Sequence, residues 1–188
     1  MSNAEAGPVF PDRIETQRLV IRAWKPEDAP LLDAAVTASV EHLRPWMPWI
    51  AFEPQTVEER RALIEQWQID AAGGKDHVYG VFSAETGEVL GGTGLHNRVG
   101  PGGIEIGYWI HVDHCGQGYA TELSRALTDT AFGLEKIERV EIHTDKANEL
   151  SARIPPRLGY TLTEEAPREI VAPGEIVINQ TWTLQRDQ

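Results

Sequence analysis

The chain has 188 residues, 41% of them hydrophobic and 24% charged, with a formal net charge of −12. That length suits one domain with a substantial core, and the composition is that of an ordinary globular protein. The acidic balance argues against a nucleic-acid surface, which needs clustered Lys and Arg, and no apolar run approaches the ~20 residues of a membrane span.

Residues 1–12 lack the basic-then-apolar layout of a secretion signal and read as a flexible tail, leaving 13–188 as the domain. RLVIRAW (18–24) alternates like a strand. After Lys25-Pro26, the run to Leu43 has early acidic residues and Leu31, Leu32, Ala35 and Val36 at helical spacing. Pro45, Pro48 and Pro54 break any long helix that would follow. Thr56 opens the next one with a capping box to Glu59; Leu63, Ile64 and Trp67 face inward, and Gly73-Gly74 ends it.

Strands are predicted at 77–84 and 89–99, joined by the hairpin turn Glu85-Thr86-Gly87-Glu88. A third, IEIGYWIHV (104–112), is antiparallel to its predecessor because the loop is short. Gly116 to Phe132 reads as a helix with Ala120, Leu123, Leu127 and Ala131 on one face. Then come a strand at 138–144, the short helix ANELSARI before Pro155-Pro156, a strand at 159–165, and an alternating run at 175–185 that closes the sheet. Antiparallel strands preceding a strand–helix–strand unit predict an α/β (α+β) domain around a mixed sheet.

The stretch HCGQGYATE (114–122) leaves a strand through Gly116 and Gly118 and enters a helix. A helix N-terminus carries four unpaired N–H donors and a partial positive charge. Glycines there let a phosphate approach the backbone closely, although they also serve an ordinary tight turn at positive φ. A P-loop is excluded, since Gly74-Lys75 is followed by Asp76. A dinucleotide fingerprint is excluded by Thr121 at its third glycine and by the preceding antiparallel strands.

Cys115-Gly116-Gln117-Gly118-Tyr119-Ala120 resembles the Q/R-x-x-G-x-G/A motif of the GNAT acetyltransferases, with Cys115 in place of Gln or Arg. Thr16-Gln17-Arg18-Leu19 with Asp28-Ala29, LRPWMPW (43–49), EIGYWI followed by GYATE, and NELS…RLGY (148–160) are similar, in order, to the RimJ/RimL-type branch. The resemblance runs from Arg18 to Leu184 and implies a single-domain, mostly antiparallel sheet with a splayed parallel pair and helices on both faces. It implies acetyl-CoA as cofactor and direct acetyl transfer to a primary amine, foremost the N-terminal α-amine of a protein or peptide. A small-molecule amine (antibiotic, polyamine or amino-acid conjugate) and a non-catalytic acyl-CoA-binding module are the alternatives. A cytoplasmic location is expected, since Cys115 is alone and can form no internal disulfide, which suits a reducing cytosol. A homodimer is compatible with the resemblance, and no metal is expected.

The resemblance also distributes roles. Cys115, Gly116, Gln117, Gly118, Tyr119, Ala120 and Thr121 would hold the pyrophosphate, and Ile110, His111 and Val112 would flank the pantetheine along the splayed strand. Glu105 would be a general base if burial raises its pKa, against the plainer reading of an ion pair with a nearby Arg. Glu169, in the loop before the last strand, is the second base candidate. The tyrosine acid of many GNAT enzymes falls on Pro155, so Ser151 is the thiolate's proton donor and Asn148 binds pantetheine. Without the resemblance, Asn148 reads as an N-cap and Ser151 as a first-turn residue. Trp46, Trp49 and Phe52 would wall the acceptor pocket or pack in the core. Cys115 is discounted as a nucleophile, having only adjacent His114 as a helper.

Overall fold

The alternating segments pair into one eight-stranded sheet in the order β1-β2-β3-β4-β5-β6-β8-β7. The computed structural model describes residues 7–186. The strands are β1 Arg13–Glu15, β2 Leu19–Ala23, β3 Asp76–Ser83, β4 Val89–His96, β5 Gly103–Ile110, β6 Arg139–Asp145, β7 Thr161–Pro167 and β8 Ile178–Gln185. The helices are α1 Ala29–Leu43, α2 Val57–Ala72 and α3 Tyr119–Phe132, with two single turns, α4 Glu149–Ala152 and α5 Ile154–Arg157.

Each face of the sheet has its own core. Leu19, Ile21, Val81, Ile104, Ile106 and Val140 pack against Leu123 and Leu127 of α3. On the opposite face Trp24 and Phe82 pack with Leu32 and Val36 of α1, Ile50, and Ile64 of α2. Burying a leucine such as Leu127 contributes about 2 kcal/mol, which is why the stripe Leu123, Leu127, Ala131, all at 0% exposure, fixes α3 to the sheet. The capping box of α2 forms as its sequence predicts: Thr56 N–H donates to Glu59 Oε2 at 2.6 Å, and Glu59 N–H donates to Thr56 Oγ1 at 3.2 Å.

The antiparallel strands from β1 to β5 follow chain order, but the expected closure by the last strand does not occur. β8 inserts between β6 and β7, so β7 forms the edge. Alternation identifies a strand without naming its neighbours. ANELSARI does not form one helix: α4 ends at Ala152, and Pro155 and Pro156 lie within α5, where a first turn tolerates proline. Within the expected tail, residues 1–6 lie outside the described residues, whereas Phe10 is 3% exposed and its ring packs edge-on against His77.

The parallel contact between β5 and β6 is short. It covers three register pairs, Gly103↔Arg139, Ile104↔Val140 and Glu105↔Glu141, and then stops. β6 continues along β8 for seven pairs while β5 continues along β4 to Ile110. Beyond Glu105 the sheet is therefore split.

Candidate active site

On one side of the split lies the glycine turn. Gly116 and Gly118 have φ of 76° and 82°, the left-handed region that glycine adopts without steric penalty. Among the described residues no N–H from Gly116 to Thr121 finds an acceptor, and the α3 N-cap, Gly118, brings no side-chain cap. A Cβ on Gly116 would meet nothing within 4 Å, so the approach to these amides is open. Bare, convergent donors at the N-terminus of a 14-residue helix are what a diphosphate requires. Arg18, on the chain just before β2, fixes the turn: its Nη1 donates to Gln117 O at 3.0 Å, its guanidinium lies 4.6 Å over the Tyr119 ring, and it pairs with Glu122 at 2.6 Å.

The expected main-chain partners divide. His111 N–H donates to Leu90 O, so in the antiparallel alternation Ile110 and Tyr108 turn their peptide groups toward the split. Val112 does not belong to the strand; it starts a 3₁₀ turn, and its N–H donates to Ser39 Oγ at 3.2 Å. That N–H is committed to α1. His111 is likewise occupied, its Nδ1 accepting from Asp113 N–H at 3.2 Å. The Cys115 thiol faces His42, 3.3 Å away, rather than His114. Burial, with the Asp113 carboxylate second, pushes its pKa up, which keeps it a thiol.

The split opens into a cavity of about 940 Å³ that crosses the sheet. Asn148 and Ser151 line one end, Glu105 and Ile106 its middle, and Trp46, Trp49 and Phe52 the other. The structure thus gathers six of the sequence-predicted residues, Trp46, Trp49, Phe52, Glu105, Asn148 and Ser151, around one space, whereas Ile110 to Val112, the 115–121 turn and Glu169 do not line it. Asn148 caps α4, accepting from Ser151 N–H at 3.3 Å, so the plain structural reading of this pair holds while both also line the cavity. Trp49 packs 6.2 Å from the Trp109 ring, and Phe52 remains 73% exposed at the mouth.

Glu105 departs from the expectation of a raised pKa. Burial pushes it up, but the Arg98 guanidinium outweighs this, with His143 and His96 adding to it, and the carboxyl ends below the usual range. Arg98 binds it in bidentate fashion, Nε to Oε2 at 2.8 Å and Nη2 to Oε1 at 2.6 Å. A carboxylate held this way is a weak proton acceptor. Glu169 is exposed and does not line the cavity; the acid of that loop facing inward is Glu175, which pairs with Arg168 and accepts from the N–H groups of Val171 and Ala172.

Arg98, His96, Tyr108 and Trp109 are among the cavity residues that sequence reasoning passed over. Tyr108, inside the quoted EIGYWI motif, buries its hydroxyl without a well-aligned hydrogen bond. Burial pushes its pKa up to about 12, with Ser151 pulling slightly the other way, so the phenol keeps its proton. Alternation along β5 was the available signal for Tyr108 and Trp109. Nothing local marked Arg98.

The acetyltransferase (GNAT) domain model matches residues 18–161. The chain belongs to the GNAT acetyltransferases. It is 29% identical over 147 residues to a Bacillus subtilis protein named as a ribosomal N-acetyltransferase, YdaF, covering 77% of this chain and 78% of that one. Its fold matches RimL, the ribosomal L7/L12 α-N-protein acetyltransferase solved with coenzyme A, with a TM-score of 0.81, 20% identity, and coverage of 95% and 98%. It also matches the Salmonella typhimurium acetyl transferase that modifies the N-terminal serine of L7/L12, with a TM-score of 0.79, 21% identity, and coverage of 93% and 99%. The protein is an acetyl-CoA-dependent N-acetyltransferase, and the bare amides of 116–121 fit the diphosphate of that cofactor. Among the described residues no helix is long and apolar enough to cross a membrane.

Proposed function

We propose that the acetyl group is delivered to the N-terminal α-amine of a protein or peptide. The observation that carries this reading is the cavity itself, about 940 Å³ in volume and open past exposed Phe52 and Val171. With the pantetheine arm at the Asn148–Ser151 end, the part left to the acceptor opens to solvent past Phe52, so a chain continuing beyond its first residues has a way out of the site. The names of the relatives that modify ribosomal proteins support the same acceptor.

When bound, acetyl-CoA supplies an activated acetyl thioester. In the proposed arrangement the N–H groups of Gly116 to Thr121 hold its diphosphate, and the Ile110 peptide pairs with the pantetheine arm across the split. Asn148 orients that arm. Ser151, with the Tyr108 phenol beside it, donates to the departing sulfur. Trp46, Trp49 and Phe52 wall the acceptor, and buried Glu105, held by Arg98, forms the polar floor between the two ends.

Acetyl-CoA incubated with the protein and a peptide library should yield peptides acetylated at the α-amine by mass spectrometry. Acetylation confined to lysine side chains or to small amines would overturn the assignment.

A further inference from the structure

Four neighbouring strands each contribute one ionisable side chain to a single transverse row. Asp76 on β3, His96 on β4, Glu105 on β5 and Glu141 on β6 are successive register partners. Direct partners in a sheet project from the same face. Here that face is the acceptor side, where Val78, Trp109 and Phe82 pack with α1 and α2. The row crosses the sheet where the split begins.

Most nitrogens and oxygens of this row are already engaged. Arg98 occupies both oxygens of Glu105. Glu141 holds Arg139 Nε and His143 Nε2, each at 2.8 Å, and the other nitrogen of His143 lies 3.9 Å from Glu105. His96 is different. Its Nδ1 is buried with Asp76 Oδ2 3.2 Å away, an oblique contact that holds the Asp76 carboxyl below its usual range. Its Nε2 makes no hydrogen bond and is not sealed from the cavity that the residue lines. The ring lies across two glycines: a Cβ on Gly94 would sit 2.6 Å, and one on Gly107 3.3 Å, from Nε2. Side chains are missing there so that an imidazole can lie flat on the sheet.

We infer that His96, oriented through Nδ1 by Asp76, is the base that deprotonates the acceptor amine, and that Glu105 is not. An imidazole with one nitrogen on a carboxylate and the other free is arranged to take a proton at the free nitrogen. The charged groups that face it are Asp76, Glu105, Arg98 and His143; from α2, Arg60 lines the same cavity but is bound to Glu53 and Asp33. Nε2 takes one proton from the acceptor ammonium. The freed lone pair forms the C–N bond as the C–S bond breaks, its electron pair going to sulfur. A second nitrogen proton is balanced by one donated to the thiolate. The products are an amide, a thiol and an imidazolium that returns its proton to water.

The inference deepens the acetyltransfer reading, and its test is run on whichever amine the wild-type protein turns over. A wild-type enzyme that acetylates only small amines therefore sinks the α-amine assignment without sparing His96 from the same measurement. His96→Gln should lower kcat/KM by about 10²-fold or more, abolish the acid limb of the pH–kcat/KM profile, and leave the acetyl-CoA Kd unchanged. Added imidazole should restore part of the rate. Asp76→Asn, at a half-exposed position, should lower kcat/KM by a smaller factor and displace the acid limb rather than remove it. A His96→Gln enzyme that keeps the wild-type acid limb and rate would overturn the inference. So would an acid limb removed by Glu105→Gln and untouched by both other substitutions.

Discussion

In the proposed arrangement the binding groups at the N-terminus of α3 are peptide N–H donors aimed by two glycine dihedrals, whereas at the acceptor end they are side chains drawn from α1, α2, the 46–52 segment and four strands. The two ends should fail in different ways. A main-chain cradle has no spare donor chemistry, so one added side chain closes it at a stroke. A side-chain cavity loses contacts one at a time, and each substitution changes affinity or rate by a bounded amount.

The largest effect should come from the cradle. Gly118→Val places a β-branched residue at φ 82° and blocks the approach to the amides. Calorimetry should find acetyl-CoA binding weakened by at least about 100-fold, since the lost contacts are charge-assisted, while circular dichroism shows a folded domain. Next, Ser151→Ala should lower kcat by about 30-fold with the acetyl-CoA Kd unchanged; a change in Kd alone would assign Ser151 to binding.

Glu105→Gln probes the boundary between the two ends. It should cost about 2 kcal/mol at neutral pH by removing a charged, buried hydrogen-bond acceptor, a modest loss because Arg98 is 55% exposed and can rehydrate. The sign of the pH dependence follows from the depressed pKa of Glu105 in the folded state. Its stabilisation is complete above the unfolded value of about 4.3 and is lost as pH falls through the folded value. Urea unfolding across the acid range should show that part of the slope in the wild type and its absence in the variant. The smallest effect is expected at the aromatic wall, where Trp49→Ala should raise the acceptor KM by about tenfold, worth about 1.4 kcal/mol, and leave acetyl-CoA binding alone.

Features written within a few residues were legible in the sequence. The capping box at Thr56, the stripe on α3 and the glycine turn all depend on spacings of two to four residues, and all form. Features that depend on who sits next to whom were not. The placement of β8 inside the sheet, the capture of Glu105 by Arg98 and the alignment of Asp76 with His96 are decided by strand register between segments up to 46 residues apart. Val112 shows the same limit at short range: the alternation continues through it, but the strand ends at Ile110 and its N–H turns to a serine 73 residues away. Glu169 and Glu175 share one loop, and only the folded chain distinguishes the solvent-facing acid from the inward one.

The Arg18 clamp has a consequence for rates. Because the guanidinium ties the loop at Gln117 and Tyr119 to the start of β2, the ordering cost of that loop is incurred when the domain folds and not when coenzyme arrives. Coenzyme association should accordingly be fast and little affected by solvent viscosity beyond diffusion. Severing the clamp should slow capture far more than it hastens escape.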